Sequence, residues 1–251
     1  DTSELHYPVV YLLHGNGAAP STFISGDGKA VPSLAELIAN NRIEPLILVM
    51  PRLDRNADNA RSPVHERYLA EEVVPLVDAN YRTIPTRGAR AIAGHSRGGS
   101  DTFYMAMTYP DMFSLAGMYS SGFDSPVPPE RLIMAHKQHL LPLRFWISVG
   151  RNDRFGFVSV LRPFVQMLAS IHFPHVYTED DGNHRNISAH VRQSLIFFSR
   201  RLWDDVHTTE HNLDTITRTF STVAGGPALP LDIAVDLRTP IENPAPALQL
   251  D

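Results

Sequence analysis

The sequence contains no cysteine, which removes disulfides, thiolate metal sites and a cysteine nucleophile together. The compartment stays open, because a chain of 251 residues can fold without covalent staples. Long apolar runs are missing too. No stretch approaches the roughly 18 consecutive apolar residues that span a bilayer, so nothing reads as crossing a membrane. Asp1-Thr2-Ser3-Glu4 shows no charged-then-apolar leader pattern, a trait that a mature secreted form would share. Basic excess is also absent: a formal net charge of −5 argues against a nucleic-acid partner. There is no internal repeat and no low-complexity tract.

What remains is an ordinary globular composition, 43% apolar and 20% charged. Val9–Leu13, Leu46–Met50, Ala89–Ala93, Leu115–Tyr119, Arg144–Val149 and His175–Thr178 read as short strands. Several are apolar on both faces, as buried parallel strands are. Between them lie helical patterns at Leu34–Ile38, Val64–Tyr81, Ser100–Thr108, Val158–Ser170 and Ile187–Trp203. Pro75 predicts a kink in the second of these. The alternation implies an α/β fold, a mostly parallel sheet with helices on both faces.

The chemistry is concentrated at Gly94-His95-Ser96-Arg97-Gly98-Gly99. A G-x-S-x-G pattern alone is weak, but here a buried strand leads in and an apolar helix leads out. That is the setting of a nucleophile elbow, a sharp turn projecting a serine hydroxyl above the sheet, with small residues two positions either side. A serine hydroxyl needs a base. His184, in Gly182-Asn183-His184 after the sixth strand, is the candidate. Asp153, just past the fifth strand, is the candidate acid that orients it. Asp180 and Asp181 compete with Asp153, and His14, His95, His172, His175 and His190 with His184; His14 and His95 read as packing residues. The oxyanion of such a reaction needs two backbone N–H donors. Arg97 is expected to supply one, and Asn16 or Gly17, in the loop after the first strand, the other.

Tyr7-Pro8-Val9-Val10-Tyr11-Leu12-Leu13-His14-Gly15, the Gly94–Gly99 elbow and Gly182-Asn183-His184 together resemble the putative-esterase family of α/β-hydrolases. It includes esterase D, feruloyl and acetylxylan esterases, siderophore esterases and mycolyltransferases. Glu71–Arg82 also looks like the family's helix before the nucleophile strand. The resemblance runs from about Tyr7 to Trp203 and implies the α/β-hydrolase fold, a Ser-His-Asp triad and an acyl-enzyme intermediate. Arg97 departs from the methionine or other uncharged residue that many members carry there.

The expected partner is a small-molecule or carbohydrate-linked ester, with an anionic or aromatic acyl group among the candidates. Arg52, Arg55, Arg154 and Arg185 crowd the active edge and would favour an anionic ester, unless they pair with Asp54, Asp58, Asp153, Asp180 or Asp181. No cofactor or metal is called for, and Gly94–Gly99 lacks the lysine of a phosphate-binding loop. An acyltransferase with the same triad, or a non-catalytic binding module of the same fold, are the alternatives.

Residues 1–204 are read as the catalytic core and 205–251 as a further segment of the same domain. Family members place an antiparallel hairpin before the YPVVYLLHG strand, and here little sequence precedes it. Thr215–Thr222 and Leu231–Leu237 read as two strands around Ala224-Gly225-Gly226-Pro227, followed by a proline-rich loop over Thr239–Asp251. The expectation is that this hairpin completes the sheet, with Leu231–Leu237 antiparallel beside Leu46–Met50. Circular permutation, a swapped homodimer or a tandem array would each allow it.

Overall fold

The computed structural model describes residues 5–53, 63–124, 127–138, 142–223 and 248–250, with side chains of the last helix described to residue 209. Its strands are β1 (Val9–Leu13), β2 (Ile47–Pro51), β3 (Arg90–His95), β4 (Leu115–Tyr119), β5 (Arg144–Gly150), β6 (His175–Asp180) and β7 (Leu248–Leu250). They form one sheet in the order β6-β5-β4-β3-β1-β2-β7, every neighbouring pair parallel. The helices are α1 (Ser21–Ile24), α2 (Ala30–Ala39), α3 (Pro63–Tyr68), α4 (Val74–Asn80), α5 (Arg97–Thr108), α6 (Pro129–Lys137), α7 (Phe157–Ser170) and α8 (Ser188–Val223).

The sheet is buried on both faces because alternate residues feed two cores. Val10 and Leu12 of β1 pack with Leu34 and Leu37 of α2 and with Val191, Leu195, Phe198 and Leu202 of α8. Val9, Tyr11 and Leu13 face the other way, toward Leu69 to Val77, Phe103 of α5 and Leu161, Phe164 and Leu168 of α7. Side-chain period two in the strand and the i, i+4, i+7 stripe of α8 meet on one surface. Each fully buried Leu or Phe contributes about 1.5–3 kcal/mol of transfer free energy.

Three local features differ from the sequence reading. The kink expected at Pro75 takes the form of a π-helical turn, Leu69–Val73, between α3 and α4. Proline lacks the N–H for an i→i−4 bond, and widening the preceding turn re-registers the ladder around it. Thr215–Thr222, expected as a strand, is helical: α8 continues unbroken to Val223 and through the anticipated boundary at 204/205. β-branched residues carry a strand preference, but extending a packed helix costs less than nucleating a new element, and no Gly or Pro intervenes before Gly225. Leu248–Leu250, within the expected proline-rich loop, forms β7, parallel to β2, with Val49 opposite Leu248 and Pro51 opposite Leu250. The expected partner strand Leu231–Leu237 lies outside the described residues. Among the described residues no helix is long and apolar enough to cross a membrane.

Candidate active site

Strand β3 ends at His95 and helix α5 begins at Arg97, so Ser96 alone makes the turn between them. Its backbone sits at φ 54°, ψ −119°, a region that costs a non-glycine residue about 1–3 kcal/mol. The amide of Ser96 is held by the Tyr119 carbonyl of β4 at 2.9 Å. A Cβ at Gly94 would lie 2.2 Å from the Gly98 carbonyl oxygen, and one at Gly98 would lie 2.0 Å from the Leu13 oxygen. Any side chain at either position would push the elbow off the sheet. Ser96 is left half-buried, at the N-terminus of α5, where first-turn amides lack intrahelical acceptors and the helix dipole is positive.

Asp153 and His184 meet at the ends of β5 and β6. His184 Nδ1 donates to Asp153 Oδ2 at 2.9 Å, and Asp153 Oδ1 accepts the Phe155 amide at 2.8 Å. The Asp153 side chain is fully buried and that of His184 only 10% exposed. A carboxylate bound this way places the imidazole proton on Nδ1 and leaves the lone pair on Nε2. The two loops are fastened to each other: Arg151 N donates to Asp180 O at 2.7 Å and Asn152 N to Gly182 O at 3.0 Å. Gly150 permits this approach, since a Cβ there would fall 2.2 Å from the Gly182 oxygen. Asp180 and Asp181 are engaged elsewhere. Asp180 accepts from His190 Nε2 and from Gly182 N, each at 2.8 Å, and Asp181 pairs with Arg151.

Two histidines read from sequence as packing residues have defined polar roles. His14 Nδ1 donates to the Gly15 carbonyl at 2.9 Å, and its Nε2 accepts the Leu53 amide at 3.1 Å. It thereby joins the loop carrying Asn16 and Gly17 to the loop after β2. Asn16 and Gly17 are exposed, Gly17 at φ 65°, in a turn closed by Ala18 N to Gly15 O at 3.3 Å. His95 Nε2 donates to the His184 carbonyl at 2.8 Å, and burial, with His184 beside it, pushes its pKa down to about 4. Position at a strand end was the available signal for both; their partners, 39 and 89 residues away, carry none.

The arginines divide. Arg97 bonds Asp101 at 3.2 Å and also Asp124, so its guanidinium is tied along α5. Arg185 bonds Asp27 at 2.6 Å, and Arg151 bonds Asp181 and Glu179. Asp181 is thus one of the partners expected from sequence, while Asp54, Asp58 and Arg55 lie outside the described residues. Arg52 is exposed after β2. Arg154 lies over the ring of Phe155, 4.8 Å from its centroid. Phe155, 54% exposed, meets His184 edge-on at 4.5 Å, and Phe157 lies 5.7 Å from the same imidazole. Among the described residues no cluster suited to a metal ion occurs.

A hydroxyl on a strained turn and a buried Asp–His pair, at the same sheet edge, are what acyl transfer through a serine requires. The sequence model of a family described as putative esterase matches residues 2–210. An endo-1,4-beta-xylanase/feruloyl esterase of Xylanibacter ruminicola is 33% identical over 126 residues, 48% of this chain and 17% of that protein. Endo-1,4-beta-xylanase Y of Acetivibrio thermocellus is 26% identical over 193 residues, 70% of this chain and 18% of that one. The matched part is thus under a fifth of either relative's length. Among solved structures, a ferulic acid esterase superposes with a TM-score of 0.69 at 22% identity, covering 78% of this chain and 86% of that one. The fold is that of the α/β-hydrolases.

Proposed function

Because the chain belongs to the putative-esterase family, we propose that it is a serine-dependent carboxylic-ester hydrolase, with Ser96, His184 and Asp153 as its triad. The observation that carries this reading is the 2.9 Å bond from His184 to a fully buried Asp153, with the His184 carbonyl bonded to His95, the residue before the strained Ser96. His184 Nε2 takes the Ser96 hydroxyl proton as Oγ attacks the ester carbonyl carbon. Asp153 holds the tautomer and stabilises the imidazolium that forms. Negative charge gathers on the carbonyl oxygen, where the Arg97 amide and that of Asn16 or Gly17 donate. One such donor is worth about 10²–10³ in rate. Collapse expels the alcohol, which takes the proton from His184, and leaves the acyl group on Ser96. Water, deprotonated by the same imidazole, then attacks the acyl carbon, and the acid leaves as the bond to Ser96 Oγ breaks and His184 returns the proton to that oxygen.

An aromatic acyl group on a carbohydrate alcohol is the proposed substrate class. The exposed ring of Phe155 beside His184 and the matched feruloyl esterase relatives favour it. Arg154, over that ring, is placed to meet a negative charge on the substrate. A fluorophosphonate probe tests the reading directly. It is expected to label the wild type at Ser96 and to leave Ser96→Ala unlabelled, while p-nitrophenyl acetate and methyl ferulate are hydrolysed by the first only. An unlabelled, inactive wild type would refute it.

A further inference from the structure

His95 is the last residue of β3 and shares the side-chain parity of Ala91 and Ala93, which face the core under α8. It is 7% exposed and touches both halves of the site. On one side its Nε2 reaches the His184 carbonyl at 2.8 Å, and the two imidazoles lie 4.7 Å apart, tilted by 41°. On the other side it abuts the loop after β1. A Cβ built on Gly15 would fall 3.5 Å from His95 Nδ1 and 3.3 Å from Ser96 Cβ. A carbonyl only accepts, so His95 must carry its proton on Nε2.

We propose that His95 is a positioning residue for ester hydrolysis: a neutral Nε2–H donor that fixes the His184 main chain and ring while bracing the loop that holds Asn16 and Gly17. The inference rests on the Ser96–His184–Asp153 reading above. Neutrality is part of the role. A cation packed against His184 would oppose the imidazolium that must form there during attack. The ionisable groups facing His95 are His184, Asp27 and Asp153; burial is the largest influence and the His184 charge the next, and both favour the uncharged ring, outweighing the hydrogen bond to the His184 carbonyl and the two carboxylates, which favour the charged one.

Three variants separate positioning from bulk packing. His95→Leu fills the space and removes the donor. His95→Gln supplies an amide N–H that can reach the same carbonyl, and His95→Asn supplies one on a shorter stem. Each is compared with wild type by the second-order rate of fluorophosphonate labelling, by kcat and KM on a p-nitrophenyl ester, and by Tm. His95→Leu is expected to lower labelling and kcat by roughly 10–100-fold, the loss attached to a misplacement of about 1 Å, with KM within about twofold. His95→Gln should recover most of the rate and His95→Asn little. Equal rates in wild type and His95→Leu, or a His95→Gln as slow as His95→Leu at unchanged Tm, would overturn the proposal while leaving the triad in place. If His95→Leu does not fold, the contrast between His95→Gln and His95→Asn decides. A wild type that the probe does not label sinks the triad and this inference together.

Discussion

Adding one methyl group at Gly150 should sharply slow the proposed hydrolysis without touching any group that meets substrate. In Gly150→Ala the new Cβ would sit 2.2 Å from the carbonyl oxygen of Gly182, 2.4 Å from its carbon and 3.0 Å from Asn183 N. All three are main-chain atoms, so no side chain can rotate away. Ordinary van der Waals contact begins at 3.4 Å, so the loops after β5 and β6 must separate by about 1 Å or more. These are the loops that carry Asp153 and His184, whose bond is 2.9 Å. A displacement of that size costs on the order of 10² in rate, and complete loss of the aspartate's orienting role about 10⁴. A fall in kcat of about 10²–10³ is therefore expected, with KM little changed. Stability should fall by about 1–3 kcal/mol of overpacking, at about 2–4 °C of Tm per kcal/mol for a chain this long. Gly88→Ala is the control, since its Cβ would meet only Asp205 Cβ, at 3.7 Å. Steady-state kinetics on a p-nitrophenyl ester with melting curves for both variants makes the measurement. Activity within twofold of wild type in Gly150→Ala would show that the loops yield freely and that the close approach is not what aligns the pair.

Two further outcomes are expected. Folded His95 protonates only near pH 4, whereas an unfolded imidazole does so near 6.5, so between these values the unfolded chain binds more protons and stability falls as pH drops. At about 1.4 kcal/mol per unit the loss approaches about 3 kcal/mol; urea midpoints at pH 7 and pH 4.5 should lie closer together in His95→Gln than in wild type, and identical drops would refute the assignment. Arg154→Ala should raise KM for anionic aryl esters by about 1.5–5-fold, the scale of an exposed charge pair, and leave neutral esters unaffected. Arg185→Ala, already paired with Asp27, should do less, and an equal rise for neutral esters would remove the charge argument.

The six strands from β1 to β6 were legible because parallel strands buried on both faces are short apolar runs closed by turn residues. The elbow was legible because Gly94 and Gly98 are demanded by main-chain contacts of 2.0–2.2 Å. Asp153 and His184 could be singled out because each follows directly on a strand end, where side chains of this fold class converge. What stayed hidden depends on distance through space. The bonds of Arg185 to Asp27 and of His95 to the His184 carbonyl join residues 158 and 89 apart. The π-turn before Pro75 was half visible: the proline signals trouble in the helix, but not how the backbone absorbs it. Thr215–Thr222 misled because its β-branched residues speak for extended chain, while the helix arriving from Ser188 decides its conformation.

Ser96, Asp153 and His184 sit beyond the ends of β3, β5 and β6, with β4 between the first two. No contiguous peptide holds them together, and no pair of neighbouring strands supplies all three. The arrangement comes into being only once four strands have found their parallel partners, so the proposed turnover would be a property of the finished sheet. In a denaturation series, hydrolysis would then serve as a gauge of long-range assembly, fading in step with the tertiary structure and leaving no active remnant in partly ordered chains.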